Sequence, residues 1–472
     1  MQQPSFFFYD YESFGVNPAL DRPAQFAGIR TDMEFNIIGE PVMLYCKQTN
    51  DYLPAPEAVL VTGITPQICN QQGLPEPEFA EQILQQFSQP QTCIIGYNNI
   101  RYDDEMTRYT FYRNFIDPYE YSWKNGNSRW DLLDLVRACY ALRPEGINWV
   151  YDEQGMPSFK LEKLTKANGI EHSQAHDAMA DVYATIEMAK LIKQKQPKLF
   201  QFFFENRGKK AIEAMLDTAE MTPLVHVSGM LGNYRGNTTW IAPLAWHPTN
   251  QNAVIVCDLD ADIEDLLNES ADQLRTNLYT PKAQLEAQGI RHVPLKLVHI
   301  NKCPIIAPAK TLLPETAQRL GINRERCLMN LKKLRASLDI REKVIEIFNQ
   351  EHSFEPSDNV ETELYAGFFS YADKNNLAIL RTLSAEQLAQ PHLTFEDKRI
   401  ADLLFHYRAR HFYASLTRAE QVRWEKYRRN KLEKSAVNFE QRLQQLAEEY
   451  QDQPDKLALL QQVYEYGVKL LG

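Results

Sequence analysis

The chain has 472 residues, more than one hydrophobic core accommodates, so two or three domains are expected. Its 44% hydrophobic and 24% charged residues are ordinary for a globular protein, and a net charge of −11 excludes a global field that draws in nucleic acid, though not a local basic groove. Seven scattered cysteines without a C-x-x-C pair, no signal-peptide pattern and no apolar run near the ~18 residues of a membrane span predict a cytoplasmic protein with reduced thiols and no membrane partner.

The chain opens with an aromatic strand, Phe6-Phe7-Phe8-Tyr9-Asp10-Tyr11-Glu12. Strand signals follow over 26–30 and 41–46, a helix over 78–87, and a short apolar strand over 93–98 that ends in a polar turn. Helices are predicted over 103–115, 130–142, 161–167 and 177–193. This alternation predicts an α/β domain over 1–196, closed by the polar stretch ending at Pro197. Strand signals over 224–227, 238–242 and 253–257, punctuated by Gly229, Gly232, Gly236 and Asn237, predict a β-rich domain with inserted helices over 197–353. Trp240 and Trp246 read as its core. From 354 to 472 nearly everything is helical, with 403–471 almost free of Gly and Pro.

Side chains alternate across a strand, so Asp10 and Glu12 point to one face, where two anions repel unless a cation joins them. Solvated acids in a turn are the plainer reading. Asp103 opens a helix, where an acid suits the macrodipole, and Asp181 lies a turn and a half beyond His176 near another helix start. Each has an ordinary structural explanation alone. Together, four carboxylates from one strand and two helices are the inventory that phosphodiester cleavage requires. Two metal ions ~4 Å apart clamp the attacking and leaving oxygens, and an imidazole takes a proton from the attacking water. His176 is the candidate base. Oxygen-only ligands favour Mg²⁺ or Mn²⁺ over zinc.

Asp10-x-Glu12, Asp103 after Asn98-Asn99, and His176-x-x-x-x-Asp181 resemble the DEDDh exonuclease superfamily, which has an RNase-H-like fold. Longer stretches resemble the bacterial exonuclease I family: Asp10-Tyr11-Glu12-Ser13-Phe14-Gly15, Gly96-Tyr97-Asn98-Asn99, 127–134, 142–149 and 163–172. The likeness continues through 300–304, 307–310, 398–400 and 407–410, so it spans essentially the whole chain. Ser13 stands where that family usually has Thr, and a hydroxyl is kept. The resemblance implies an RNase-H-like exonuclease domain, an SH3-like β-rich domain and an all-α C-terminal domain forming a processive clamp. It implies a monomeric 3′-to-5′ exonuclease that releases 5′-mononucleotides from single-stranded DNA, in repair and recombination. Asp10, Glu12, Asp103 and Asp181 would hold two Mg²⁺ ions, with Mn²⁺ able to substitute, and Asp10 would bridge them. The implied protein partner is single-stranded-DNA-binding protein, through its C-terminal tail.

A single strand requires cations interleaved with aromatic platforms. The stretches 109–130, 407–412 and 423–434 qualify by composition. The candidate substrate contacts are Arg113, Lys124, Arg129, Trp130, Arg143, Arg408 and Arg410, with Arg143 also a candidate for docking the tail. Solvated basic helices with their aromatics turned inward would have the same composition. Two further enzyme readings stay open at this point, an RNA-trimming exonuclease and a polymerase-associated proofreading nuclease. A scaffold with a dead nuclease fold would lack an acidic ligand, and all four acids and the His are present.

Overall fold

In a computed structural model, which describes residues 3–171, 177–349 and 357–471, the aromatic opening stretch forms the central strand of a sheet. This strand, β1 (Ser5–Ser13), pairs antiparallel with β2 (Pro23–Thr31) and parallel with β4 (Thr92–Gly96). With β3 (Val42–Tyr45) and β5 (Ser128–Asp131) the sheet order is β3-β2-β1-β4-β5. Phe6, Phe7 and Phe8 are all buried, which is why β1 reads as a continuous apolar run rather than an alternation. Phe7, Tyr9 and Tyr11 share one face, in a core with Phe79, Ile83, Phe87, Met106 and Phe111. Residues 6, 8, 10 and 12 take the other face.

The chain divides into two compact units. The first joins residues 1–129 and 172–186 to residues 354–472. The C-terminal helices Arg399–His411, Arg418–Glu449 and Pro454–Leu471 therefore pack with the N-terminal sheet. Phe439, Leu443, Leu460 and Val463 share a core with Phe14, Tyr52, Val59 and Cys69. Ile400, Leu403 and Tyr407 share another with Tyr109, Tyr112 and Phe115.

The second unit comprises residues 130–171 and 187–353. It holds a small hairpin, β6 (Val150–Tyr151) with β7 (Pro157–Ser158), and an antiparallel sheet. The strands of that sheet are β8 (Leu224–Val227), β9 (Thr238–Trp246), β10 (Ala253–Asp258), β11 (Leu295–His299) and β12 (Ile305–Pro308), in the order β11-β10-β9-β8-β12. Pro243 lies inside β9, where it donates no ladder bond. The β9–β10 register shifts beside it, between Ile255 and Val256, and so accommodates it. Trp240 is buried, and Trp246 packs against the core of Ile241, Val254 and Val298.

The predicted helix over 130–142 begins two residues late. Trp130 and Asp131 end β5, and the helix runs Leu132–Leu142. Asp131 caps it, its carboxylate accepting from the Leu133 amide at 3.0 Å. All seven cysteines are buried free thiols. Among the described residues no helix is long and apolar enough to cross a membrane.

Candidate active site

The β1–β4 pairing ends at Phe8 and Ile95, so Asp10 and Glu12 lie beyond the carboxyl end of that ladder. Ligands of open α/β sheets bind at such ends. β4 stops at Gly96, where a Cβ would lie 2.9 Å from the Tyr9 carbonyl oxygen. Glycine permits this approach, and Asn98 then turns the chain with φ 68°. The helix Asp103–Arg113 starts there, and Asp103 accepts from the Tyr11 amide at 3.3 Å. The fourth acid arrives on the helix Ala178–Lys195. Ligand oxygens of Asp10, Glu12 and Asp181 lie within 4.8 Å of one another.

Hydrogen bonds flank these acids. Tyr9 donates to Asp104 Oδ1 at 2.6 Å, and Arg129 neutralises the other oxygen of Asp104. On the far side of Glu12, Ser13 Oγ lies 2.5 Å from Tyr102 Oη, and both hydroxyls reach the Gly15 carbonyl. Position 13 thus uses its hydroxyl, which Ser supplies as Thr would. Tyr102 and Asp104 bracket Asp103, and Tyr9 and Ser13 bracket Asp10 and Glu12.

Burial pushes the Asp10 carboxyl well above the carboxylate range, and the neighbouring charges of Asp103, Glu12 and Asp181 push it further. Burial, then Asp181 and Asp103, raise Glu12 to about 9. Asp177 adds to both shifts while its side chain accepts from the Ala180 amide at 3.0 Å, as a helix cap does. Such a cluster ionises fully only with cations among its oxygens. Oxygen donors alone, close together and short of positive charge, fit hard divalent ions.

Comparison with known proteins matches three families in succession along the chain. Residues 7–189 match the family described as Exonuclease, residues 207–350 the Exonuclease I SH3-like domain, and residues 358–470 the Exonuclease I C-terminal domain. The chain is 78% identical over 468 residues to exodeoxyribonuclease I of Haemophilus influenzae, covering 99% of each. The chain belongs to the exodeoxyribonuclease I family. Its fold is therefore the RNase-H-like exonuclease domain, followed by the SH3-like and C-terminal domains. It matches the zinc-bound form of an E. coli exonuclease I complex with single-stranded DNA at 56% identity and a TM-score of 0.96, covering 100% of both chains. A structure of SSB/exonuclease I in complex with an inhibitor matches at 55% identity and a TM-score of 0.93, covering 99% of this chain and 100% of that one.

Of the residues that the exonuclease I resemblance brought forward, Asp10, Glu12, Asp103 and Asp181 converge, and His176 lies outside the described residues. Five of the seven candidate DNA contacts turn inward, which corrects the expectation of surface exposure at those positions. Arg113 is buried against Glu76 at 3.1 Å, and Arg129 is buried against Asp104. Arg408 is buried against Glu420 at 2.7 Å. Arg410 is buried between Asp51 at 2.7 Å and Glu361. A buried guanidinium held by a carboxylate stabilises the fold and has no face to offer a phosphate. Trp130 is buried too, its ring centroid 5.2 Å from that of Phe200. In the stretch 423–434, Trp424 is buried and Lys431 reaches Asp51 at 2.7 Å, whereas Arg423, Lys426, Arg429 and Lys434 are exposed. Lys124 stays exposed, paired with Glu120 at 2.6 Å.

Arg143 lies in the second unit, on a recess of about 380 Å³ with Pro197, Lys198, Leu199, Phe202, Phe203 and Thr311. Its guanidinium donates to the Thr311 carbonyl at 3.1 Å. Sequence reasoning did not reach Asp104, Tyr102 or Asp177 as parts of the site. Their proximity in sequence to Asp103 and His176 was the available signal.

Proposed function

We propose that this chain is a metal-dependent 3′-to-5′ exonuclease that shortens single-stranded DNA from a free 3′ end and releases 5′-mononucleotides. The observation that carries the reading is the convergence of Asp10, Glu12 and Asp181 oxygens within 4.8 Å, with the Asp10 and Glu12 carboxyls raised by burial and then by their anionic neighbours. Two Mg²⁺ ions, replaceable by Mn²⁺, would supply charge neutralisation and an acidified water at pH 7. Asp10, Glu12, Asp103 and Asp181 are the residues that would hold them. His176 is the residue to accept the proton of the attacking water. Tyr9, Asp104, Ser13 and Tyr102 hold the strand and helix that carry the ligands. The single-stranded DNA substrate rests on the E. coli exonuclease I complex with single-stranded DNA and on family membership. Of the candidate DNA contacts, Lys124 keeps the exposure that the role requires.

The working division is an exonuclease domain over 1–196, an SH3-like domain over 197–353 and a helical domain over 354–472, in a monomeric cytoplasmic enzyme of DNA repair and recombination. Single-stranded-DNA-binding protein is the expected partner, in line with the SSB/exonuclease I structure. The recess around Arg143 and Lys198, with Phe202 and Phe203 beside them, has the chemistry to take its C-terminal tail, a carboxylate on an apolar segment.

The test is a degradation assay with Mg²⁺ on end-labelled single-stranded DNA, its 3′-blocked copy, duplex DNA and single-stranded RNA, with an EDTA control. Shortening of the free-3′ DNA strand alone, stopped by EDTA, is expected. RNA consumed as fast as DNA, or cleavage that persists in EDTA, overturns the reading.

A further inference from the structure

Gln25 is a fully buried amide in the middle of β2, a position where strands normally place an apolar side chain. Register sets it directly opposite Glu12 on β1 and opposite Tyr45 on β3, so the three side chains share one face of the sheet. Its Nε2 donates to Tyr45 Oη at 3.1 Å, and its Oε1 accepts from the Ala178 amide at 3.2 Å.

The second bond matters for the site. Amides in the first turn of a helix have no partner within the helix and need one from elsewhere. At the start of Ala178–Lys195, Asp177 satisfies the amide of Ala180, whereas the amide of Ala178 is taken by Gln25, 153 residues away on the strand beside Glu12. Asp181 stands three residues after Ala178, on the same side of the helix. One amide therefore ties the helix that carries Asp181 to the strand next to the one that carries Asp10 and Glu12. The Tyr45 hydroxyl orients that amide. Alanine would leave the Ala178 amide without this acceptor, and glutamate could not donate to Tyr45 and would add an anion beside Glu12.

We propose that Gln25 is a positioning residue of the divalent-ion site: by bridging β2 to the Ala178 amide it sets the distance from the Asp181 carboxylate to those of Asp10 and Glu12. The inference rests on the reading of the carboxylate cluster as a metal site. It assigns Gln25 no contact with substrate or ion.

The experiment measures Mn²⁺ binding to the full chain without DNA, by calorimetry and by the electron paramagnetic resonance of the free ion. Wild type, Gln25→Leu, Tyr45→Phe, Asp181→Asn and the double variant Gln25→Leu/Asp181→Asn are compared. Gln25→Leu is expected to weaken Mn²⁺ binding about tenfold or more, as loss of a ligand-orienting partner does elsewhere. Tyr45→Phe, which frees the amide without removing it, is expected to weaken binding by about threefold, the scale of one lost neutral hydrogen bond. In the Asp181→Asn background the Gln25 change is expected to cost nothing further, because the ligand it positions is gone. Circular dichroism and urea unfolding in EDTA establish that each variant is folded. If Gln25→Leu does not fold, Tyr45→Phe decides, and unchanged affinity there overturns the proposal. Unchanged affinity in a folded Gln25→Leu, or an equal loss with and without Asp181, makes Gln25 a fold residue only. A wild type that binds no Mn²⁺ overturns the metal reading itself, and is distinguishable because the failure then precedes any variant.

Discussion

At the scale of single residues, the site is a set of anions held too close for their own comfort. Asp10, Glu12 and Asp181 come together, and Asp103 and Asp177 add to the field. Replacing Asp10 or Asp181 with Asn is expected to lower exonuclease activity roughly a thousandfold or more, the scale of losing a charge-stabilising group at the reacting centre. The metal-free melting temperature should hold or rise, since repulsion falls; turnover assays with differential scanning fluorimetry in EDTA check both. The pH dependence follows from Glu12, whose carboxyl stands at about 9 in the folded chain against an ordinary 4.5. A group raised on folding contributes stability that is complete below its unfolded value and is lost as pH rises through its folded value. Melting temperature in EDTA should therefore fall between about pH 5 and pH 9, and saturating Mg²⁺, which favours the ionised form, should flatten that decline. A decline of equal slope with and without Mg²⁺ would show that the carboxylates and the ion are not linked.

At the scale of elements, β1 supplies two clustered carboxylates from one face and a hydrophobic core from the other, so its register cannot slip without losing both. The C-terminal helices are joined to the N-terminal sheet by apolar packing and by buried charge. Burial alone would raise Asp51 and Glu361. Arg410 and Lys431 hold Asp51 well below the usual carboxylate range, and Arg410 and Arg22 do the same for Glu361. His406 adds a contact to Glu361 at 3.1 Å. Removing one member strands the others. Arg410→Met is expected to cost about 3–5 kcal/mol in urea unfolding, against under about 1 kcal/mol for Lys124→Met at the exposed pair with Glu120. Comparable costs at the two sites would mean that the inner network is better solvated than its burial implies. Because these carboxyls are depressed on folding, their contribution is lost as pH falls, the opposite sense to Glu12.

At the scale of the whole molecule, a net charge of −11 coexists with a nucleic-acid substrate because basic residues do not act as a sum. Arg113, Arg129, Arg408 and Arg410 are consumed by internal carboxylates, so on the proposed reading anionic partners meet local surfaces such as the recess around Lys198. Lys198→Glu is expected to weaken binding of a peptide with the acidic C-terminal sequence of single-stranded-DNA-binding protein about tenfold or more, as reversal of a contact charge does, by fluorescence anisotropy at physiological salt. Binding unchanged by the reversal would move the docking surface elsewhere.

The carboxylate set was legible in the sequence because its motifs are local. Strand alternation puts Asp10 and Glu12 on one face, and the exonuclease I resemblance singles out Asp103 and Asp181 near helix starts, where an acid by itself suits the macrodipole. Residue types limited to oxygen donors then indicated the class of ion. The fate of Arg113, Arg129, Arg408 and Arg410 was not legible. A basic residue in a basic stretch has the same local signature whether it faces water or Glu76, Asp104, Glu420 or Asp51. Asp51 lies 359 residues from Arg410, and no periodicity reports a pairing at that separation. Gln25 was silent for the same reason, since its partners Tyr45 and Ala178 meet it only when β3 and the last helix of the site close around β2. The sequence by itself determined which atoms could do the chemistry. Tertiary structure decided which charges were left over to meet a substrate, because burial and pairing are properties of contacts between distant residues.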